Sequence, residues 1–272
     1  METKKTVVIT GSQSGMGYAT RLLLEKNGVK VIGVTNTADA EIQADLSSSE
    51  GVAYAVKEIV RLSDGQIDGI FANAGVGGEN APLVFGLNYF GIISMLKALQ
   101  PYLKKSLNGR IVINASNSVV ITPGIPNDVV DALVDLDEEK AYKLIKENPF
   151  WTYQVSKTAI TKWVRQNAFK EEWAGSGISM NLIAPGVVLT PLIEHDMKDP
   201  RKAEGINKLP KPIGTLPKPE NIAPLVKFLL IDDSKFIIGQ YIVIDGGTEV
   251  SWRGNDHPKT WDISFEDFSK LG

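Results

Sequence analysis

The sequence predicts an α/β protein built on one doubly wound parallel sheet with helices on both faces. Three observations carry this prediction: the length, the rhythm of apolar runs, and a glycine-rich turn between the first run and the first helical pattern. A chain of 272 residues, 43% hydrophobic and 22% charged, can bury a large core, and its length suits one large α/β domain better than two ordinary ones. Runs rich in β-branched residues at Thr6–Thr10, Lys30–Thr35, Ile67–Ala72, Arg110–Asn114, Ile178–Ile183 and Gln240–Ile244 alternate with segments of helical period. Most are apolar nearly throughout, as strands covered on both faces require.

Ser47, with Glu50 three residues on, reads as the capping pair of a helix over Gly51–Leu62, whose Val52, Val56 and Ile59 make one apolar stripe. Two segments interrupt the rhythm. An acidic insertion over about 123–149 puts Val129, Leu133 and Leu136 on one helical face, and a second short helix follows with Asp135 and Glu138 as its capping pair. The segment Pro191–Pro219, rich in proline and lysine, reads as a long loop of the lid or binding-loop kind, with PKPIGTLPKP neither helix nor central strand. The domain should end near residue 250. The tail, 251–272, is too aromatic to be left in water, so Trp252, Trp261, Phe265, Phe268 and Leu271 should bury against something. Either they patch their own subunit, or they pack at a subunit boundary and help wall the substrate cleft with the lid.

A net charge of −3 offers no broad positive field, which argues against nucleic acid and anionic membranes as partners. Without cysteine there is no disulfide, thiolate nucleophile or thiolate metal site, and the first residues lack the apolar core of a secretory signal. A reducing, cytoplasmic location is the expectation. No uninterrupted apolar stretch approaches the roughly 18 residues needed to span a bilayer. His195 and His257 are far apart and read as surface residues, so no metal is expected.

After the first strand comes Thr10-Gly11-Ser12-Gln13-Ser14-Gly15-Met16-Gly17, and the helical run Tyr18–Lys26 follows directly. Gly11 can make the sharp turn, Gly15 lets a pyrophosphate approach the backbone, and Gly17 lets helix and strand pack closely. The helix N-terminus offers free amides and partial positive charge to phosphates. Further along, Tyr153 and Lys157 stand four residues apart on one helical face. A neighbouring ammonium favours phenolate, so Lys157 should poise Tyr153 as a general acid for reduction and a base for oxidation.

With the spacing T-G-x-x-x-G-x-G, the chain resembles the short-chain dehydrogenase/reductase superfamily from about Thr6 to Gly247. The resemblance implies a Rossmann-type fold and nicotinamide-dependent exchange between a carbonyl and a secondary alcohol. It implies that Asp45 and Leu46, in Ala44-Asp45-Leu46, recognise adenine, and that Asn73-Ala74-Gly75 lines the adenosine side and steadies the sheet. It gives the backbone of Val188 and the hydroxyl of Thr190, after Pro185-Gly186, the task of holding the nicotinamide carboxamide. Ser116 should orient the substrate oxygen, with Ser118 as the competitor. Asn88 should support a water linking Lys157 to solvent, or else hydrogen-bond within its own helix. Lys157 should also reach the nicotinamide ribose, and Pro191 and Leu192 should join Ser116 and Tyr153 around the substrate.

At the end of the second strand, Thr35-Asn36-Thr37 stands where NAD-specific members carry an acid, and the basic residue typical of NADP-specific members is missing there and at Ser14. The reading leans to NADP(H), with NAD(H) open. Ala44-Asp45-Leu46-Ser47 before Glu50-Gly51, Asn88-Tyr89-Phe90-Gly91, the insertion before Tyr153 and Asp199-Pro200-Arg201 are similar to the bacterial 3α-hydroxysteroid dehydrogenase/carbonyl reductase branch. That similarity implies a steroid or bile-acid hydroxyl as substrate, ahead of a small xenobiotic or sugar-derived ketone, and a homo-oligomer, dimer or tetramer. The insertion would lie beside the active-site mouth and the helices that pair subunits. A rival from another class is a non-catalytic NAD(P)(H)-sensing protein acting through the acidic insertion; the presence of both Tyr153 and Lys157 speaks against it.

Overall fold

The computed structural model describes residues 4–106, 108–260, 262–264, 267 and 270. Seven parallel strands form one sheet: β1 (Thr6–Thr10), β2 (Lys30–Thr35), β3 (Ile42–Gln43), β4 (Gly69–Ala72), β5 (Arg110–Asn114), β6 (Ser179–Pro185) and β7 (Tyr241–Ile244), in the order β3-β2-β1-β4-β5-β6-β7. The chain starts in the middle and winds outwards in both directions, so the order reverses between β1 and β4. A crevice opens there at the carboxyl ends of the strands, where ligands of such sheets bind.

Alternation along the strands feeds two cores. Val7, Ile9, Phe71 and Val112 face α1 (Gly15–Lys26) and α11 (Pro219–Ile231), whereas Val8, Ile70, Ile111 and Ile113 face α2 (Ser49–Leu62), α4 (Gly91–Leu103) and α8 (Thr152–Asn167). The helical stretch Ala81–Leu103, which joins α3 (Ala81–Phe85), a π-helical turn at Gly86–Phe90 and α4, is 23 residues long and contains an 18-residue window of mean hydropathy 1.4. By length and composition it could cross a membrane, but Met95, Leu96, Leu99 and Leu103 are buried in the core, which accounts for its apolarity.

The six expected strands are present with shifted ends. The third begins at Gly69, because Ile67 donates its amide to Tyr102 at the end of α4 rather than to the sheet. The seventh, β3, escaped the sequence reading because it is two residues long and follows the acidic Asp39 and Glu41. Helix α2 is capped by Ser48, whose Oγ accepts from the Gly51 amide at 3.1 Å, not by Ser47, whose hydroxyl donates to Asp45 instead.

Beyond β5 come α5 (Ser118–Ile121) and the insertion helices α6 (Asn127–Val134) and α7 (Glu138–Ile145). Val129 and Leu133 are buried as expected, but Leu136 is not on their face. It takes φ 60° just past the end of α6 and is 49% exposed. The cap of α7 is Asp137, accepting from the Lys140 amide, while Asp135 closes α6. The expected loop Pro191–Pro219 contains two helices, α9 (Pro191–Asp196) and α10 (Pro200–Lys208); proline opens each, where its missing N–H breaks no helical bond. From Pro210 to Lys218 the chain is irregular, as expected. After β7, α12 (Thr248–Arg253) leaves Val250 and Trp252 exposed, whereas Trp261, Phe265, Phe268 and Leu271 lie outside the described residues.

Candidate active site

The glycine turn closes the crevice at β1. Gly11 and Gly15 adopt φ values of 66° and 52°. A Cβ on Gly17 would lie 2.1 Å from the Gly11 carbonyl oxygen, so no other residue lets α1 approach β1 this closely. Asn73 braces the turn from β4: its Nδ2 donates to the carbonyls of Thr10 (3.1 Å) and Gly11 (3.3 Å), and Thr10 Oγ1 accepts the amides of Asn73 and Ala74. Ser14 precedes α1 without capping it, and the buried Ser12 hydroxyl has no partner among the described residues. Free amides, an orphaned hydroxyl and a backbone without side chains fit a dinucleotide pyrophosphate. Gln13 bridges to the Asp39 carbonyl, and Met16 packs on the α1 core.

At the adenosine end, Asp45 accepts from the Ser47 amide (2.9 Å) and hydroxyl (2.6 Å), which lowers its pKa, and Leu46 is buried beneath it. Thr35 is half-buried, and its hydroxyl lies 3.5 Å from that of Thr37; Asn36 and Thr37 are exposed. An acid missed by the sequence reading sits against the same strand. Glu41 accepts from the Gly33 amide (2.9 Å) and is paired with Arg21 (2.5 Å). Burial works to raise the Glu41 pKa, but the bonds from Arg21 and Gly33 outweigh it and keep the carboxylate ionised.

The reacting groups gather at the ends of β4 and β5. Lys157 is 2% exposed; its Nζ donates to the Asn114 carbonyl at 2.7 Å and lies 5.9 Å from the centre of the Tyr153 ring. Burial pulls its pKa down to about 8. Tyr153, one turn earlier on α8, goes the other way: burial raises its pKa, opposed by the neighbouring Ser116 hydroxyl. The expected lowering of Tyr153 by Lys157 is therefore corrected. The ammonium is turned towards Asn114, and desolvation of the phenol dominates. Ser116 Oγ accepts the Ser118 amide (3.2 Å), while the Ser118 hydroxyl is buried without a partner among the described residues, so of the two serines it is Ser116 that neighbours Tyr153.

Asn88 lies in the π-helical turn, a feature common at functional sites. Rather than bonding within its helix, it exchanges two hydrogen bonds of 2.9 Å with the main chain of Val76 and donates to Ser156 Oγ at 3.1 Å. Gly75 makes this convergence possible, since a Cβ there would come within 3.1 Å of Asn88 Oδ1 and 3.3 Å of Lys157 Nζ. On the far wall, Gly186 packs against Asp245, Val188 is buried, and Thr190 touches the cradle, its Cγ2 lying 3.0 Å from where a Cβ on Gly15 would be. Pro191 opens α9 at the surface, and the side chains of Leu192 and His195 lie outside the described residues. Sequence reading also missed Tyr241 and the Asn117–Asp245 pair, which hold the Ser116 segment from β7; in an apolar strand context nothing marked them.

A glycine cradle at the switch point, with a phenol, a hydroxyl and an ammonium beside it, defines a nicotinamide-dependent oxidoreductase. Residues 5–124 match the family model described as short chain dehydrogenase, and residues 132–249 match that of enoyl-(acyl carrier protein) reductase. The chain belongs to the short-chain dehydrogenase/reductase family and uses NAD(P)(H). It is 33% identical to a 3-alpha-hydroxysteroid dehydrogenase/carbonyl reductase of Comamonas testosteroni, over 91% of this chain and 97% of that protein. It is 30% identical to a levodione reductase of Leifsonia aquatica over 92% and 96%. The crystal structure of a 3-alpha-hydroxysteroid dehydrogenase from Pseudomonas sp. B-0831 complexed with NADH superposes with a TM-score of 0.86 at 34% identity, covering 92% of this chain and 99% of that one.

Proposed function

We propose that this protein interconverts a ketone and a secondary alcohol at Tyr153, with a hydroxysteroid or a comparably bulky alicyclic compound as substrate. The observation that carries the reading is the buried Lys157, held on the Asn114 carbonyl two residues before Ser116, 5.9 Å from the centre of the Tyr153 ring and beside Gly75. The bound nicotinamide supplies the hydride exchanged with the carbonyl carbon. Tyr153, kept a phenol by burial, gives its proton to the carbonyl oxygen in reduction and takes it back in oxidation. Ser116 donates to the same oxygen, a bond that strengthens as negative charge develops there. Lys157 reaches the nicotinamide ribose. Asn88 holds the turn after Gly75, and through Ser156, which donates to the Tyr153 carbonyl at 2.7 Å, it keeps that turn of α8 in register.

Gly11 to Gly17 hold the pyrophosphate in this reading, Asp45, Leu46 and Asn73 to Gly75 the adenosine, and Val188 with Thr190 the carboxamide. The hydroxyl and amide groups of Thr35, Asn36 and Thr37 favour a 2′-phosphate modestly, because Arg21 already neutralises Glu41. Apolar residues next to the reacting groups in the chain support a bulky substrate: the half-buried Val119, Val120 and Ile121 follow Ser116, and Trp151, with Phe150 set edgewise on it at 5.1 Å, precedes Tyr153. The hydroxysteroid dehydrogenases among the relatives point the same way, whereas the levodione reductase favours a smaller cyclic ketone as second reading. Phe169 and Phe236, 69% and 91% exposed, suit burial in a homo-oligomer, which light scattering would weigh.

The test is nicotinamide absorbance on mixing the protein with NADH or NADPH and a panel of 3-keto steroids and small cyclic ketones. Turnover with the highest kcat/KM on steroids is expected. Turnover confined to small ketones would move the substrate to the second reading, and cofactor binding without turnover on any ketone would overturn the enzymatic one.

A further inference from the structure

Tyr241 begins β7, two strands away from β5. It pairs in register with Leu182 of β6, which pairs in turn with Ile113 of β5, so its side chain must run forward along the sheet to reach Ser116. It does so: Tyr241 Oη donates to the Ser116 carbonyl at 2.5 Å. The residues on either side of Ser116 are fixed by the sheet, Ala115 donating to Ile183 and Asn117 to Pro185. The Ser116 carbonyl is left with the Val119 amide at 3.2 Å and the Tyr241 phenol. The orientation of that peptide determines where the serine side chain sits.

We propose that Tyr241 is a positioning residue of the active site, its O–H fixing the Ser116 carbonyl and thereby aiming the Ser116 hydroxyl at Tyr153 and the substrate oxygen. The proposal rests on the role given to Ser116 above. Two further ties come from the same side of the molecule, Asn117 Nδ2 to Asp245 Oδ2 at 3.0 Å and Arg253 Nη1 to the Val120 carbonyl at 2.6 Å. Tyr241 alone among these touches Ser116 itself. Burial, reinforced by its neighbours Tyr153, Asp245 and Glu249, raises its pKa well above the ordinary tyrosine value, so it remains a donor wherever the enzyme works. Its ring packs against the core, so replacement by phenylalanine keeps the packing and removes only the bond.

The experiment is a double-mutant cycle of Tyr241→Phe and Ser116→Ala, with kcat and KM for a 3-keto steroid and cofactor dissociation followed by tryptophan fluorescence. Losing one hydrogen bond of ordinary net strength should lower kcat about three- to tenfold in the wild-type background. Cofactor dissociation should stay unchanged, and in the Ser116→Ala background Tyr241→Phe should change kcat by less than about twofold, because the two act as a unit. A merely structural tyrosine would lower kcat by the same factor in both backgrounds, or leave it untouched in both; either result overturns the proposal. Full wild-type kcat in Ser116→Ala overturns the reading of Ser116 as well, whereas an additive cycle around an impaired Ser116→Ala overturns the role of Tyr241 alone.

Discussion

The two ends of the cleft are held together by different physics. At the cofactor end, Gly11, Gly15 and Gly17 lie within seven residues of one another, and two side chains, Asn73 and Thr10, tie the turn to the end of β4. What matters there is the absence of side chains, and sterics leave few alternatives. At the reacting end the groups come from far apart in the chain: Asn88 from the π-helical turn, Ser116 after β5, Tyr153 and Lys157 from α8, with Tyr241 and Asp245 behind them. Here burial sets the chemistry, raising Tyr153 and lowering Lys157. The cradle is thus a local construction and the reacting cluster a tertiary one, so substitutions should be able to disable either without the other.

The sharpest separation comes from Tyr153→Phe. It removes the transferable proton while barely changing shape, so kcat should fall by on the order of 10²–10⁴ while cofactor affinity stays near normal. A variant keeping more than about a tenth of the wild-type rate would remove Tyr153 from its role. Next in size is Lys157→Met, which keeps the length of the side chain and discards the buried charge. With its pKa at about 8 in the fold and 10.5 as the ordinary value, Lys157 binds its proton less tightly when folded. The unfolded chain holds more protons between those values, so stability rises with pH across that window, and the full cost, on the order of 3 kcal/mol, is present below it. Lys157→Met should therefore abolish turnover yet melt at a higher temperature at pH 7, with the gain shrinking towards pH 10. Melting curves at the two pH values decide it; a variant less stable at pH 7 would mean that the lost bond to Asn114 outweighs the buried charge.

This division explains what could be read in advance. Six strands, the glycine turn and the Tyr153–Lys157 pair were legible because each is a short-range pattern, a run of apolar residues or a fixed spacing, that physics ties to one structure. The capping residues of α2 and α7 were missed because a second serine or aspartate stands within two residues of each, and geometry selects Ser48 over Ser47 and Asp137 over Asp135 at equal propensity. Glu41 and Tyr241 were illegible for a different reason: their partners, Arg21 and Ser116, lie 20 and 125 residues away. The expected effect of Lys157 on Tyr153 failed because spacing along a helix gives proximity but says nothing of where an ammonium turns or how deeply a phenol is buried.

The cofactor end can be perturbed alone by Thr35→Asp. A carboxylate at the end of β2 would accept the ribose hydroxyls and repel a 2′-phosphate, moving the ratio of kcat/KM for NADPH over NADH downwards by about tenfold. Ketone KM should not change. A wild type already strongly selective for NADH, or a ratio unmoved by the new acid, would show that Glu41 rather than Thr35 reads this position.

The smallest expected effect lies outside both ends, in the insertion, and tests whether that segment is only a wall. Leu136 holds φ 60° where α6 stops, donating its amide to Leu133 while Asp137 donates to Ala132. A side chain with a Cβ strains that left-handed turn by roughly 1–2 kcal/mol, whereas glycine adopts it freely. Against this stand the greater freedom of glycine in the unfolded chain, worth roughly 0.5–1 kcal/mol, and the loss of a leucine that is already 49% exposed. Leu136→Gly should thus raise the unfolding free energy by about 0.5 kcal/mol, read as a higher urea midpoint with an unchanged slope. Since Leu136 touches neither the cradle nor the Ser116–Tyr153–Lys157 cluster, kcat should stay as in the wild type. A lower midpoint would mean that the leucine side chain contributes more through packing than its backbone costs, and a changed kcat would tie the insertion to the reacting end of the cleft.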